Sequence, residues 1–167
     1  MSWGEGGRTS RPGGCEVFVD LLLAIVHHLL VFALAGALAA ELALVRPGLA
    51  GRELRLVARI DQVFGGLALA VVVVGVGRVF LGLKGWQFYA YDWAFWAKIA
   101  AFLAVGLLSI RPTLRILAWR GAARNATGLY VVPDAEIAGV RRLIHWEAAV
   151  FLLIPVFAAI MARGGSV

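Results

Sequence analysis

Four long apolar runs, set apart by charged stretches, constrain this chain more than anything else in it. Leu21–Val45 extends for 25 residues, broken only by His27, His28 and Glu41. Val63–Leu81 supplies 19 residues with Arg78 as its one charge, and Trp93–Ile110 supplies 18 with Lys98 inside. Leu143–Ala162 supplies 20, with His145 and Glu147 near its start. A helix needs about 20 apolar residues to cross roughly 30 Å of hydrocarbon. Backbone polar groups cannot go unsatisfied in lipid, so runs of this kind cross as helices. The pattern predicts an all-α fold, an integral-membrane bundle of four transmembrane helices with spans at about 21–45, 63–81, 93–110 and 143–162. The third helix has scope to run on towards Trp119. The Gly-rich residues 1–16 read as a disordered tail, and residues 17–167 as the membrane domain.

Composition agrees. The chain is 62% hydrophobic and 16% charged, against about 45–50% and 25% in soluble domains, which excludes a water-soluble enzyme. A single cysteine, Cys15, excludes an intrachain disulfide framework and a cysteine-based zinc site. The first run also has features of a signal peptide, with Arg8 and Arg11 ahead of it and Ala37-Leu38-Ala39 as a small-residue site. Its length and the polar residues Asp20, His27 and His28 argue against cleavage.

With four spans, the first and third loops share a side, and that side carries ten of the sixteen Lys and Arg, from Arg46 to Arg59 and from Arg111 to Arg142. The positive-inside rule then places these loops in the cytoplasm and both termini in the periplasm of a bacterial inner membrane. The net charge of +6 is mostly this asymmetry. It points to the lipid bilayer as partner, with the third loop as a basic collar against anionic inner-leaflet lipids. A nucleic-acid partner is not expected, because that needs a basic groove with stacking aromatics. Arg46-Pro47-Gly48 stops the first helix, and Asp134 after Pro133 suits an N-cap of the fourth. Residues 86–96 hold seven aromatics, Trp86 and Phe88 to Trp96 among them. They read as an interfacial belt, or as a rim over a flat apolar ligand.

Ionisable groups inside a span are costly and mark functional candidates. Here they fall in two layers. His27, His28, Arg78 and Lys98 share one depth, with Asp20 and Asp92 further out. Glu41, Arg59, Asp61, His145 and Glu147 form a second, mixed acid and base layer near the basic side. Asp20, His27 and Glu41 share a helix face, and His28 is turned about 100° from it. Gly65, Ala68, Val72 and Gly75 make a small-residue face on the second helix. Imidazole suits heme iron, and heme propionates want cations. The first layer therefore suggests heme b or another porphyrin, with His27 as iron ligand, His28 as alternate, and Arg78 and Lys98 beside them. His145 lies at the wrong depth for a second axial ligand, which leaves water, Met161 or another subunit.

Several short runs carry a resemblance: His27-His28-Leu29-Leu30, Ala58-Arg59-Ile60-Asp61, Gly77-Arg78-Val79-Phe80, Gly82-Leu83-Lys84-Gly85-Trp86, Phe95-Trp96-Ala97-Lys98 and Leu108-Ser109-Ile110-Arg111-Pro112-Thr113. From about residue 18 onward the chain resembles a bacterial family of predicted membrane proteins, domain of unknown function twenty-two fourteen. That resemblance implies a four-span fold and brings no activity. More distantly the plan is similar to four-helix protoporphyrinogen oxidases and copper-resistance D-type membrane proteins. There a histidine-bearing first helix is followed by small residues and an arginine, matched here by His27 or His28, Ala35-Gly36 and Arg46. The resemblance implies heme at His27 or His28, with Lys98 assisting a porphyrin site.

Three functions stay open from sequence. The first is a heme- or porphyrin-associated redox membrane protein. The second is a non-catalytic accessory subunit, held to other membrane subunits of a respiratory or photosynthetic complex or to further copies of itself. The third is a small transporter or proton-conducting module built on Glu41, Asp61 and Glu147.

Overall fold

The computed structural model describes residues 14–81, 91 and 93–162. They form five helices: α1 (Gly14–Leu44), α2 (Gly51–Leu81), α3 (Trp93–Asn125), α4 (Asp134–Phe151) and α5 (Leu153–Ala162). Four stretches are long and apolar enough to cross a membrane, the fourth running from Asp134 to Ile160 through α4 and α5. The chain is thus an all-α, four-span membrane protein, with no β-strand among the described residues. Its outer surface of exposed Leu, Val, Ile and Phe is the surface that meets lipid. The tail 1–13, the segment 82–90 with Trp86, Phe88 and Tyr89, and Asp92 lie outside the described residues, as does the side chain of Met161.

The helices are longer than the apolar runs. At 1.5 Å per residue, the 31 residues of α1 and of α2 each measure about 46 Å, well beyond the hydrocarbon thickness. α2 starts twelve residues before Val63, the expected start of the second span. Its first turns are amphipathic. Leu54, Val57, Ala58, Asp61 and Phe64 are buried, while Arg52, Arg55 and Arg59 are exposed, so the helix continues where an apolar-run criterion stops.

α3 likewise passes through Pro112 to Asn125, because Ala101, Val105, Pro112, Ile116 and Trp119 keep one buried face throughout. The fourth span breaks at Leu152. Pro155 has no N–H for the carbonyl of Phe151, and its ring crowds that carbonyl, which is where α4 ends. Asp134 is the first residue of α4 rather than its cap. Pro133 holds the cap position without a side-chain hydrogen bond, and Asp134 and Glu136 lie in the first turn, where the helix dipole favours acids.

α1 packs on α2, α2 on α3, and α3 on both α4 and α5, while α4 returns to α1. Among the described residues α1 makes no close approach to α5, so the ring closes only towards the basic side. There the loops are tied together. Gly48 takes a left-handed conformation (φ 81°) in the turn after α1. Ala50 bridges Val131, and the N–H of Val132 donates to the carbonyl of Leu49 at 3.0 Å. The Arg141 guanidinium donates to the carbonyls of Val45 (2.8 Å) and Leu42 (3.3 Å), satisfying the end of α1 that has no further helical turn.

Candidate functional site

Each membrane helix presents a stripe to the core, and three of the four spans place a carboxyl within that stripe. On α1 the buried residues are Leu34, Leu38 and Glu41, followed by Val45 just beyond it; on α4 they are Ile137, Val140, Ile144, Glu147 and Phe151. With Asp61 of α2 these acids are among the least accessible residues of the protein, at 2% (Glu41), 4% (Asp61) and 1% (Glu147) relative exposure. Glu41 interacts electrostatically with Asp61, and Glu147 with both, so the three belong to one centre.

The third span contributes a donor to it. Thr113, directly after Pro112, donates through Oγ1 to Asp61 Oδ1 at 2.6 Å. One oxygen each of Glu41 and Glu147 is buried with no hydrogen-bond partner. Among the described residues no cation pairs with any of the three. No group of three His, Cys, Asp or Glu there has the geometry to hold a metal ion. Where carboxyls share a site, they lose their protons in steps that belong to the set rather than to any one residue.

Apolar layers close the centre on both sides. Val45, Leu54, Val57, Ile116 and Ile144 lie towards the basic loops, and Leu34, Phe64, Val105 and Ile154 away from them, all buried. Arg141, which caps α1, precedes Glu147 by six residues, about 9 Å along α4.

The layer that sequence suggested as a mix of acids and bases is carboxylic within, with its bases turned outward. Arg59 is exposed and borders an apolar groove of about 480 Å³ between α1 and α2. His145 is exposed and its Nδ1–H donates to the carbonyl of Arg141 at 2.7 Å. The cause is angular. Arg59 precedes Asp61, and His145 precedes Glu147, by two residues, which is about 200° around a helix. Depth groups these residues and rotation separates them. Thr113 as partner of Asp61 is not among the site residues the sequence suggests; it lies just past the third apolar run, and a threonine next to a proline where a helix leaves such a run is the signal that could have found it.

In the other layer, His27 is half-buried against α2, where a Cβ on Gly75 would stand 3.6 Å from its Cε1. Its Nδ1 is buried and without a hydrogen-bond partner. Arg78 and Lys98 are both near enough to act on it electrostatically, and the Lys98 ammonium also stands 5.6 Å from the Phe95 ring centroid. His28 is exposed, with Nδ1–H donating to the carbonyl of Ala24 at 2.7 Å. The two imidazoles meet edge to face, 6.1 Å apart. Of the aromatic segment, Trp93 packs edge-on to Phe157, and Phe95 on Trp96.

Four apolar spans, arginine-rich connections on one side and a carboxyl centre inside the bundle define a small multi-pass membrane protein. A family model described as "Predicted membrane protein (DUF2214)" matches residues 19–166, nearly the whole chain, and the chain belongs to that family. No curated protein and no solved structure matches it.

Proposed function

We propose that this is a proton-conducting module of a bacterial inner membrane, with Glu41, Asp61 and Glu147 as its proton carriers and Thr113 as the residue that orients Asp61. The observation that carries this reading is the pair of carboxyl oxygens, on Glu41 and Glu147, buried in a membrane span with neither hydrogen bond nor cation among the described residues. An intramembrane acid in that condition is costly to fold and is characteristic of proton relays. Passage across the bilayer requires the apolar layer around Leu34, Phe64 and Phe151 to part transiently. The positive-inside rule supports placing the arginine-rich loops in the cytoplasm and both termini in the periplasm. Reporter fusions at each end test that orientation, and activity confined to cytoplasmic reporters would reverse it.

The functional test is proton flux into liposomes that hold the purified protein, driven by an imposed membrane potential and read by an internal pH dye. Wild type is expected to exceed empty vesicles, and Glu41→Gln and Glu147→Gln to fall to the empty-vesicle level. Wild-type flux equal to empty vesicles, or undiminished flux in both variants, rules the reading out.

A second reading rests on His27. With Nδ1 covered by α2, Nε2 is the nitrogen left to take heme iron, and Arg78 and Lys98 would face the propionates. Bound heme would supply one-electron redox chemistry. A Soret band in the purified protein that is lost in His27→Ala but kept in His28→Ala supports it. A colourless protein after expression with heme supplied ends it.

A further inference from the structure

A second, chemically different site lies at the basic end, between the start of α2 and the last turns of α3. A cavity of about 270 Å³ there is lined by Arg55 from α2, by Arg120 and Arg124 from α3, and by Tyr130, over an apolar floor that includes Leu54. No carboxylate lines it. The nearby acids are engaged elsewhere: Glu53 pairs with Arg46 at 3.1 Å, and Glu136 takes Arg115 at 3.6 Å and the Trp119 indole N–H at 2.7 Å. Arg120 and Arg124 are four residues apart on one helix, an arrangement of like charges that weakens a helix when nothing lies between them. Gly51, the first residue of α2, also borders the cavity. It brings the positive end of a 31-residue helix to the same place. Gly51 has φ +49°, and Leu129 sits 3.5 Å from where a Cβ would be, so the cavity wall is built on a position suited to glycine.

We propose that this cavity is a phosphate-binding site, in which the guanidiniums of Arg55, Arg120 and Arg124 grip phosphate oxygens. The planar, multi-donor guanidinium matches phosphate in a bidentate way that a lone ammonium does not. The cavity is too small for most drug-sized ligands and suits a phosphate with a small substituent. Two sources share that chemistry: the headgroup of an anionic phospholipid and a free phosphate in solution. This proposal does not depend on the carboxyl centre and stands or falls separately from it.

The test uses the full chain, purified in a neutral detergent. Native mass spectrometry after incubation with phosphatidylglycerol or phosphatidylcholine reads the lipid arm. Thermal stability in inorganic phosphate, against chloride at equal ionic strength, reads the free-phosphate arm. Retention of phosphatidylglycerol over phosphatidylcholine, falling about tenfold in Arg120→Gln/Arg124→Gln, which corresponds to about 1.4 kcal/mol, supports the site with lipid as its source. A rise in thermal stability with phosphate, absent in the same variant, supports it with a free phosphate as source. Arg55→Gln, at an exposed position, should weaken whichever response wild type gives while keeping the wild-type unfolding midpoint in the absence of phosphate. Arg142→Gln, exposed on α4 and outside the cavity, should leave it unchanged. Equal responses in wild type and the cavity variants, or an equal loss in Arg142→Gln, overturn the proposal.

Discussion

The two ends of the bundle are built on different principles. At the arginine-rich end, Val45, Leu49, Leu54, Ile116, Trp119, Val132, Ile137 and Ile144 are almost wholly buried. Loops pair there through Ala50 and Val131, and the Arg141 side chain closes the end of α1. At the opposite end, Phe18, Leu21, Leu22, Ile25 and Leu29 of α1 face outward, and α1 parts from α5. The first end has an interior like that of a soluble domain. The second is assembled in lipid, where apolar side chains gain nothing by leaving the solvent for one another. There His27 lies on Gly75, whereas Gly65 and Val72, which the sequence placed on the same small-residue face, are exposed. The basic end holds the fold in register, and the carboxyl centre sits just inside it, where the packing is strong enough to tolerate acids that no cation pairs among the described residues.

This contrast can be broken by substitution. The largest effect is expected at Trp119→Ala, which empties a buried indole site and removes the donor to Glu136. The loss should be about 3–5 kcal/mol, read as a fall in the unfolding midpoint in detergent. Phe32→Ala, at an exposed lipid-facing position, should change the same midpoint by no more than about 0.5 kcal/mol, and similar losses at both positions would erase the distinction. Glu136→Ala takes away a hydrogen-bond acceptor and a charge partner together and should cost about 1.5–3 kcal/mol. Thr113→Val keeps the volume but removes the bond to Asp61. Hydrogen bonds between membrane helices average about 0.6 kcal/mol, so its midpoint shift should be small while its effect on proton flux is large. Arg46→Ala breaks an exposed ion pair with Glu53. It should be the weakest of the set, about 0.5 kcal/mol or less and vanishing in high salt.

The four spans and their order were legible because a run of twenty apolar residues has one physical outcome in a bilayer. Their ends were not. Arg52, Arg55 and Arg59 interrupt the apolar run on α2, yet they decorate only its exposed side, and Pro112 sits in α3 without ending it. The acids of the centre could be singled out because any carboxyl in a span is conspicuous. Their company could not be, since it depends on rotation. Arg59 and Asp61 are neighbours in depth and nearly opposite in angle, as are His145 and Glu147. The arginine cavity was likewise out of reach, because Arg55 and Arg124 are 69 positions apart in the chain and come to one cavity only where α2 packs on α3.

On the proposed function, Glu41, Asp61 and Glu147 act as one proton-binding group. Infrared difference spectra of the protein in bilayers, stepped through pH, follow the carboxylic C=O band of buried acids directly. The prediction is a band whose pH profile in Glu147→Gln is displaced for the two acids that remain, and again in Glu41→Gln, because removing one member of a coupled set changes the others. A profile in which each substitution subtracts one carboxyl and leaves the remaining two titrating as before would contradict it.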